Sequence, residues 1–415
     1  MRDSQTKSGA SADVRMRGFA RRTPVAEVLA WLEGHLRPLD AEQVSLEAAA
    51  GRVLAADVSS RIDVPGFDRA MMDGFALHSA RTLGASAYNR LWATVTGEAL
   101  PGQLCGKQVG PGDAVRIMTG APMPAGADSV LPAEMAEQRG DRVDLLGEVP
   151  PGKHVGRRGE DVKAGDVVLR RGRRLRPQDV GVISSIGVGE VVVVRRPRVR
   201  IVVTGSELLP AGSTPEGCRI CDANGPMLTA LVARDGGVPD HPGVVTDEED
   251  RILAAMRDSA DVVLVSGGSS VGQEDLAPML VARHGELAIH GVAMRPSSPA
   301  GIGLLDGRLV FLLPGNPVSC LCAYDFFAGR ATRALAGLDT AWPYEKVKLP
   351  LRRKLVSKVG RVDYARVSII DDAVEPLAVS GASILTTTTR ADGFVNVPQN
   401  SEGWGAGEVV EVMIY

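Results

Sequence analysis

The chain has 415 residues, of which 44% are hydrophobic and 23% are charged, and its formal net charge at pH 7 is −3. This composition is ordinary for a soluble globular protein and excludes a fibrous or a disordered chain. Because a single core stops growing at roughly 250–300 residues, the length predicts several domains. No apolar run approaches the ~20 residues of a spanning helix and the start lacks a secretory signal, so we expect a cytoplasmic protein without a membrane partner.

Arginines cluster in three short stretches, at residues 157–158, 170–176 and 195–200, a pattern found in polyanion-binding proteins. Aromatic residues make up only 4% of the chain, however, and do not alternate with these stretches. Stacking of bases along a basic groove would therefore lack its usual residues, and we expect no nucleic-acid partner. Solvated faces or a small anionic ligand explain the arginines better.

The five cysteines are an odd number in a chain without a secretory signal and indicate reduced thiols. Cys218 and Cys221 have the spacing of half a zinc site or of a redox pair, but no second ligand pair follows. A loop that carries two thiols is the simpler explanation. The six histidines, which include His241 and His290, are scattered, and we treat them as structural or surface groups.

The first elements in chain order are a tail and two helices. Residues 1–21 are polar, small and basic and predict a disordered tail. Thr23-Pro24 is a start signal for a helix, and a second helix is predicted near residues 45–55. The first helix presents one apolar face, formed by Val25, Val28, Leu29 and Leu32. Residues 61–156 then change to short β-like runs between Gly and Pro and predict a β-rich domain.

Residues 198–330 alternate between strand-like and helix-like segments. Strands are predicted at 199–203, 244–245, 262–265, 287–294 and 309–313, and helices at 227–234, at 252–256 and after Pro317. This alternation predicts a doubly wound, mostly parallel sheet with crossover helices. Beyond about residue 342 the chain returns to β-like alternation, which predicts a separate small C-terminal β domain.

Ligands of open parallel sheets bind beyond the carboxyl ends of the strands, so polar residues that follow strands are the first candidates. There are four such places, at residues 204–207, 246–247, 266–272 and 314–319. Glycines at 267, 268 and 272 allow backbone N–H groups to approach an anion, and the hydroxyl of Ser270 adds a donor. The segment 314–319 contributes free N–H groups at the start of a helix.

Three carboxylates, Glu207, Asp247 and Asp275, follow strands of this predicted sheet, and we expect them to converge. Carboxylates beside an anion site indicate a hard cation, and Mg²⁺ suits both carboxylate and phosphate oxygens. A soft metal would need Cys or His clusters, which the sequence lacks. Asp247 has an alternative explanation, since an Asp before residues 248–250 is also typical of a helix cap.

The order of the sequence motifs is more specific than any one of them. They are residues 63–68, 72–76, 116–122, 158–161, 204–205, 267–272 and 314–317. In this order they resemble the MoeA and gephyrin E-domain family, and the resemblance extends from about residue 22 to residue 415.

The resemblance implies an α/β multidomain fold. Its parts are a disordered tail (1–21), an elongated helical/β linking domain (22–60 with 157–196), a β-rich inserted domain (61–156), a MogA-like molybdopterin-binding α/β domain (197–341) and a small β-barrel-like domain (342–415). The implied enzyme is a molybdopterin molybdenumtransferase, which inserts molybdenum from molybdate into adenylylated molybdopterin with Mg²⁺-dependent release of AMP. A homodimer with a site between subunits is also implied, and a molybdopterin adenylyltransferase is a candidate partner.

The family's functional acids fall, position by position, on Asp73, Asp161, Glu207, Asp247 and Asp275. The four aspartates are the catalytic candidates, and Glu207, Asp247 and Asp275 are the candidate metal ligands. Substrate and anion contacts are expected from Thr204, Gly205, Gly267, Gly268, Ser270, Gly272, Arg295, Ser298, Pro299, Pro314, Gly315, Asn316, Arg366 and Ser383. Arg361 is an alternative to Arg366. Judged without the resemblance, Asp73 is better explained as a turn residue before Gly74.

The segment 295–299 departs from the family pattern. It is Arg-Pro-Ser-Ser-Pro, where the family usually has Lys-Pro-Gly-Lys-Pro. Ser298 and Gly291 each replace a lysine, and Ser297 replaces a glycine at a close-approach turn. Loss of two cations is expected to weaken oxyanion binding. A paralogue that takes tungstate, or a molybdopterin-binding scaffold without catalysis, therefore stays open as an alternative, although the five acids favour an enzyme.

Overall fold

The structure is a computed structural model that describes residues 22–267, 276–378 and 381–415. The expected tail lies outside the described residues, as do Gly268, Ser270, Gly272 and Asp275. The chain divides into two compact units, of which one comprises residues 43–193 and the other the rest of the described chain. In these described parts no helix has the length and apolar character needed to cross a membrane.

The unit of residues 43–193 contains a six-stranded sheet. Its strands lie in the order Ser129–Pro132, Gly74–Leu77, Asp113–Ile117, Leu91–Ala99, Arg142–Leu145 and Ala136–Arg139. Neighbours are antiparallel, except that Leu91–Ala99 runs parallel to Asp113–Ile117. Successive residues of these strands enter two different cores, because side chains alternate across a sheet: Val115 packs in one and Ala114 in the other. The predicted β-rich character of this region is confirmed.

Shorter elements complete this unit. They are the strands Val58–Ser59, Arg69–Ala70, Val155–Gly156 and Val167–Leu169, the helix Pro177–Ser185, and the 3₁₀ turns Leu46–Ala48, Ser79–Thr82 and Ala133–Met135. The strands Ala41–Ser45 and Glu190–Val194 lie at its two chain ends.

The predicted helix near residues 45–55 is wrong. Only the turn Leu46–Ala48 is helical, and Gly51 has a φ of 81°, which a right-handed helix does not admit. After it, Leu54 donates its N–H to Arg173 O at 3.0 Å and Ala55 to Val192 O at 2.9 Å. Pairing with residues distant in sequence takes the hydrogen bonds that a helix would have used.

The second unit is built on a seven-stranded sheet. Six strands follow the order Val238–Asp240, Arg198–Thr204, Val262–Ser266, Arg308–Leu313, Gly301–Leu305 and Glu286–His290, and Val244–Val245 also pairs with Arg198–Thr204. The strands up to Arg308–Leu313 are parallel. Gly301–Leu305 is antiparallel to both of its neighbours, Arg308–Leu313 and Glu286–His290. The predicted mostly parallel sheet is confirmed, with an antiparallel edge.

Helices cover both faces of this sheet. Val262 and Leu264 enter one core with the helices Asn224–Arg234 and Pro317–Ala323, whereas Val263 and Val265 enter another with Glu249–Arg257 and Leu276–His284. The predicted first helix is confirmed as Val25–His35, and its Val28 and Leu32 belong to the first of these cores. After Pro317–Ala323 the chain stays helical through Tyr324–Ala328, a π-helix, and Gly329–Leu335.

The C-terminal residues form a six-stranded sheet in the same compact unit. Its strands are Met294–Arg295, Glu345–Pro350, Val362–Ile370, Ala373–Ala378, Gly393–Val397 and Val409–Ile414, beside the pair Leu355–Val356 and Gly403–Trp404 and the short helix Thr386–Thr389. The strand predicted at 287–294 is therefore divided, because Glu286–His290 joins the α/β sheet whereas Met294–Arg295 pairs with Val362–Ile370. The two sheets share a core in which Tyr364 stacks on Phe394 at 4.0 Å.

Candidate functional site

The strand ends singled out in the sequence lie at one edge of the α/β sheet. Val203 is the register partner of Ser266, and Ser266 is the partner of Leu313, so these strands end level with one another. A cavity of about 510 Å³, which we call the acidic cavity, opens beyond this edge. Eight of the predicted site residues line it: Thr204, Gly205, Glu207, Asp247, Gly267, Gly315, Asn316 and Ser383.

Two glycines allow the loops of this cavity to approach each other. Gly267 has a φ of 96°, and a Cβ built there would lie 2.2 Å from Thr204 O. A Cβ at Gly205 would lie 2.9 Å from Oε2 of Glu207. A side chain at position 267 would collide with backbone, so the close approach of the two loops requires glycine there, whereas a side chain at position 205 would displace the carboxylate of Glu207.

Asp247 does not act as a helix cap. The N-cap of the helix Glu249–Arg257 is Glu248, and the backbone N–H of Ser206 donates to Oδ2 of Asp247 at 2.6 Å. The capping explanation for Asp247 is therefore wrong, because its carboxylate is turned to the loop that follows Thr204. That loop also carries Glu207, so two predicted metal ligands line one cavity.

Asn224 is a central residue of the site that the sequence did not reveal. It is buried, and its Nδ2 donates to Oγ of Ser266 at 2.9 Å and to Gly315 O at 2.7 Å. One amide thus joins the start of the helix Asn224–Arg234 to two strand-end loops. The available signal was a pair of polar residues, Asp222 and Asn224, directly before an apolar helix.

Asp222 and His241 form a second missed pair at this cavity. Asp222 is buried, lies 3.3 Å through Oδ2 from Nε2 of His241, and accepts from Gly225 N–H at 2.9 Å. Burial alone would raise the pKa of Asp222, but the bonds from His241 and Gly225 outweigh it and keep that pKa below its usual value. The Asp222 carboxylate in turn raises the pKa of His241. His241 is therefore structural, as expected, but it supports a residue of the cavity wall.

Cys221 lines the acidic cavity, and its Sγ donates to Ser213 O at 2.9 Å. Cys218 is exposed, and both thiols are free.

The donors of the acidic cavity suit a divalent cation. Glu207 and Asp247 offer carboxylate oxygens, and Mg²⁺ is commonly held by one or two carboxylates while phosphate and water oxygens complete its shell. Within the described residues no group of three or more His, Cys, Asp and Glu side chains is placed to hold a metal ion. The two carboxylates fit a Mg²⁺ whose remaining ligands come from a substrate and from water. Asp275, the third predicted ligand, lies outside the described residues.

A second cavity, of about 700 Å³, lies beside the segment 295–299, and we call it the basic cavity. The predicted residues that line it are Arg295, Ser298, Pro299, Pro314 and Asn316. Three further cations line it, Arg22, Lys358 and Arg361, of which the sequence analysis had considered only Arg361, as the alternative to Arg366. Asn316 lines both cavities, so they meet at the loop 314–316.

Arg295 and Ser297 have defined roles in the wall of the basic cavity. The guanidinium of Arg295 donates from Nε to Oδ1 of Asp363 at 3.1 Å, and from Nη2 to Oδ2 of the same residue. Ser297 has a φ of 84°, in the region that favours glycine, and its hydroxyl donates to Ser319 O. The chain therefore keeps the turn expected of a glycine, at a backbone cost of about 1 kcal/mol that the hydroxyl bond offsets.

Arg366 and Ser383 lie in different surroundings. Ser383 lines the acidic cavity, whereas Arg366 has no exposed surface and donates to Gly381 O at 3.5 Å and Ala378 O at 3.4 Å. Burial lowers the pKa of Arg366. Of the two arginines weighed for the anion, Arg361 is the one that lines a cavity, and the anion contact of Arg366 stays a prediction.

Asp73 and Asp161 belong to the unit of residues 43–193. Oδ1 of Asp73 accepts the hydroxyl and the backbone N–H of Thr119, both at 2.7 Å, and these bonds lower the pKa of Asp73. Asp161 is exposed, and its N–H donates to Val64 O at 3.1 Å. The bonds to Thr119 hold the Asp73 side chain at the loop before Gly120. The catalytic roles of both aspartates stay predictions.

Comparison with known proteins extends over nearly the whole chain. Residues 23–187 match the family model described as MoeA N-terminal region (domain I and II), and residues 348–415 match MoeA C-terminal region (domain IV). Between them, residues 200–333 match the model described as "Probable molybdopterin binding domain".

Individual relatives cover the same extent. A protein of Staphylococcus aureus (strain COL) named molybdopterin molybdenumtransferase is 30% identical over 399 residues, which are 94% of this chain and 95% of that protein. The crystal structure of a molybdopterin biosynthesis MoeA protein from Pyrococcus horikosii superposes with a TM-score of 0.80 at 32% identity, over 95% of this chain and 99% of that one. The matched domains, their order and this coverage show that the chain belongs to the MoeA family.

Proposed function

We propose that this protein is a molybdopterin molybdenumtransferase, which inserts molybdenum from molybdate into adenylylated molybdopterin and releases AMP with the help of Mg²⁺. Relatives that match nearly the whole chain carry that enzyme name. The observation that carries the proposal is the meeting of two cavities of opposite charge at Asn316.

The two cavities differ in the charges that line them. Three carboxylates, Glu207, Asp222 and Asp247, line the acidic cavity, and among its described lining residues none is Lys or Arg. Four cations, Arg22, Arg295, Lys358 and Arg361, line the basic cavity, and none of its described lining residues is Asp or Glu. A metal-bound phosphate group suits the first cavity and a free oxyanion suits the second. Transfer of molybdenum from molybdate to a substrate that carries an activating phosphate needs both kinds of site, one for the metal-bound phosphate and one for the oxyanion.

In this proposal, residues of the chain position the cation and the substrate phosphate. Glu207 and Asp247 would hold the cation, and the bound cation would neutralise the negative charge that develops on the phosphate. Asn224 keeps the Ser266 and Gly315 loops in place, so that backbone groups at Gly267 and Gly315 face the same space. Preorganised groups of this kind stabilise developing charge without the cost of reorganisation.

The proposal includes a homodimer, because the family resemblance implies a site completed by a second copy. Asp73 and Asp161 would then act on a substrate that is bound to the other copy. Coexpression of an Asp73→Asn chain with an Asp247→Asn chain tests this, since mixed dimers then contain one intact site. Restored activity supports the arrangement, and its absence in confirmed mixed dimers rejects it.

The direct test of function is incubation of the purified chain with adenylylated molybdopterin, Mg²⁺ and molybdate. AMP release is measured together with formation of a cofactor that activates a molybdenum-free apoenzyme. We expect both, and we expect omission of Mg²⁺ to abolish them. Tight binding of the substrate without AMP release would reject the transferase and favour a scaffold. Product formation with tungstate but not with molybdate would favour the altered oxyanion.

A further inference from the structure

The buried carboxylate of Asp363 lies behind the wall of the basic cavity. Asp363 has no exposed surface and faces two guanidinium groups. Arg295 contacts both of its oxygens, and Nε of Arg361 lies 3.2 Å from Oδ1. The hydroxyl of Ser357 donates to Oδ2 at 2.7 Å. Both oxygens of Asp363 are thus occupied, and the cluster carries one net positive charge.

The backbone fixes this arrangement. Arg295 and Asp363 are register partners in the parallel pairing of Met294–Arg295 with Val362–Ile370, so their side chains start from adjacent positions. The exposed fractions of the two arginine side chains are 28% for Arg295 and 30% for Arg361, whereas that of Asp363 is 0%. The guanidinium groups therefore reach the cavity while the carboxylate that holds them does not.

The cavity in front of these arginines has a further polar group. Oγ of Ser298 is buried and, in the described part of the chain, has no hydrogen-bond partner. A buried hydroxyl without a partner is costly unless a ligand or water satisfies it. With Arg22 and Lys358 at the same cavity, the site suits a tetrahedral dianion.

We propose that Asp363 is a positioning residue for the oxyanion, and that Arg295 and Arg361, held by it, determine oxyanion affinity in place of the lysines absent at 291 and 298. The inference rests on the proposed function for the identity of the anion as molybdate. Asp363 does not contact the anion. It acts through the two arginines, whose planar groups bind oxyanions best in a fixed orientation.

The direction in which molybdate affinity changes in Asp363→Asn separates a positioning role of Asp363 from a purely electrostatic one. Replacement of Asp363 by Asn removes a negative charge near an anion site, so an unchanged geometry would give tighter molybdate binding. Loss of positioning gives the opposite result, because two like charges without their shared partner repel and the side chains regain rotamer freedom. We expect the loss of positioning to dominate. The dissociation constant for molybdate should then rise about tenfold, which corresponds to the loss of one charge-assisted hydrogen bond.

The experiment titrates molybdate into the purified full-length chain by calorimetry, for the wild type and for Asp363→Asn, Arg361→Lys and Ser357→Ala. Arg361→Lys keeps the positive charge but loses the planar guanidinium with its two parallel donors, and we expect about tenfold weaker molybdate binding. We expect a smaller loss of molybdate affinity for Ser357→Ala. Arg353→Lys is the matched control, since Arg353 pairs with Glu375 in the same C-terminal sheet and does not line the cavity. Its molybdate affinity is expected to equal that of the wild type.

Tighter or unchanged binding in Asp363→Asn would overturn the proposal. If circular dichroism shows that Asp363→Asn is unfolded, Arg361→Lys and Ser357→Ala decide instead. Unchanged molybdate affinity in Arg361→Lys would then overturn the proposal. Among folded variants, the steady-state readout is a raised KM for molybdate with kcat retained. Binding is measured without turnover, so a wild type that binds molybdate but releases no AMP would reject the proposed function and leave this inference standing.

Discussion

Oδ2 of Asp247 accepts a 2.6 Å hydrogen bond from the backbone N–H of Ser206, 41 positions earlier in the chain. The bond joins the loops that follow the strands Arg198–Thr204 and Val244–Val245, which are parallel neighbours. It orients the carboxylate toward the cavity that Glu207 also lines. Asp247 is thereby held in one orientation, which would lower the entropy cost of binding the cation that we propose for this cavity.

Asp247→Asn is expected to lower AMP release at least ~10-fold and to raise the Mg²⁺ concentration needed for half-maximal activity. The amide oxygen can still accept the Ser206 N–H, so this variant removes the charge and keeps the loop contact. Steady-state assays over a range of Mg²⁺ concentrations measure the effect. Asp250→Asn, at an exposed carboxylate in the first turn of the following helix, serves as the control. Equal activity in the two variants would contradict the metal role.

Asn224→Ala removes the donors to Ser266 and Gly315 and leaves their buried oxygens without this partner. We expect a loss of about 1–3 kcal/mol in the free energy of unfolding, measured by urea denaturation. Asn89→Ala removes a similar 2.8 Å bond to Gly84 O at the surface, and we expect less than ~0.5 kcal/mol there. Similar losses in the two variants would show that Asn224 does not tie the loops.

Gly267→Ala places a methyl group 2.2 Å from Thr204 O and forces the two loops apart. We expect a loss of about 2–4 kcal/mol of stability from the clash and the positive φ together, with a larger relative loss of activity. Gly307→Ala separates the two causes, because Gly307 also has a positive φ but a methyl group there would meet no atom within 4 Å. A loss of about 1 kcal/mol is expected for that control. Thermal unfolding and AMP release measure both.

The Asp222–His241 pair gives a pH dependence with a defined sign. The pKa of His241 is raised above 6.5 in the folded state, so its contribution to stability is complete below pH 6.5 and is lost as pH rises through the raised value. The pKa of Asp222 lies below 3.8, so its contribution is lost only as pH falls through that lowered value. His241→Gln is therefore expected to destabilise the protein more at pH 6 than at pH 9 in urea denaturation. A difference that does not change with pH would contradict the ion pair.

Ser298→Lys restores a cation at the basic cavity and is expected to lower the KM for molybdate by about tenfold, the effect of one charge-assisted contact. The cavity of about 700 Å³ has room for the longer side chain. Ser259→Lys adds the same charge at an exposed position that does not line the cavity. If both variants lower KM equally, overall charge rather than the local cation controls the anion.

The sequence determined the β-rich region, the mostly parallel sheet and the loops at its edge, because these depend on local patterns. Apolar runs such as Val262–Ser266 predict buried strands, and the glycines and carboxylates after them predict a ligand edge. The order of motifs identified the family. The helix predicted near residues 45–55 was wrong for the opposite reason, since the backbone partners of this segment, Arg173 and Val192, lie more than a hundred positions away.

Only the tertiary structure decided which side chains share a cavity. It turned Asp247 toward Ser206, brought Asn224 and Asp222 to the strand ends, and placed Lys358, Arg361 and Asp363 beside the segment 295–299. No local pattern records these contacts, because they join residues that are distant in sequence and that meet through strand register and loop closure. Local chemistry therefore predicted the kind of site, and the long-range packing of the chain decided how its charges are divided between two cavities.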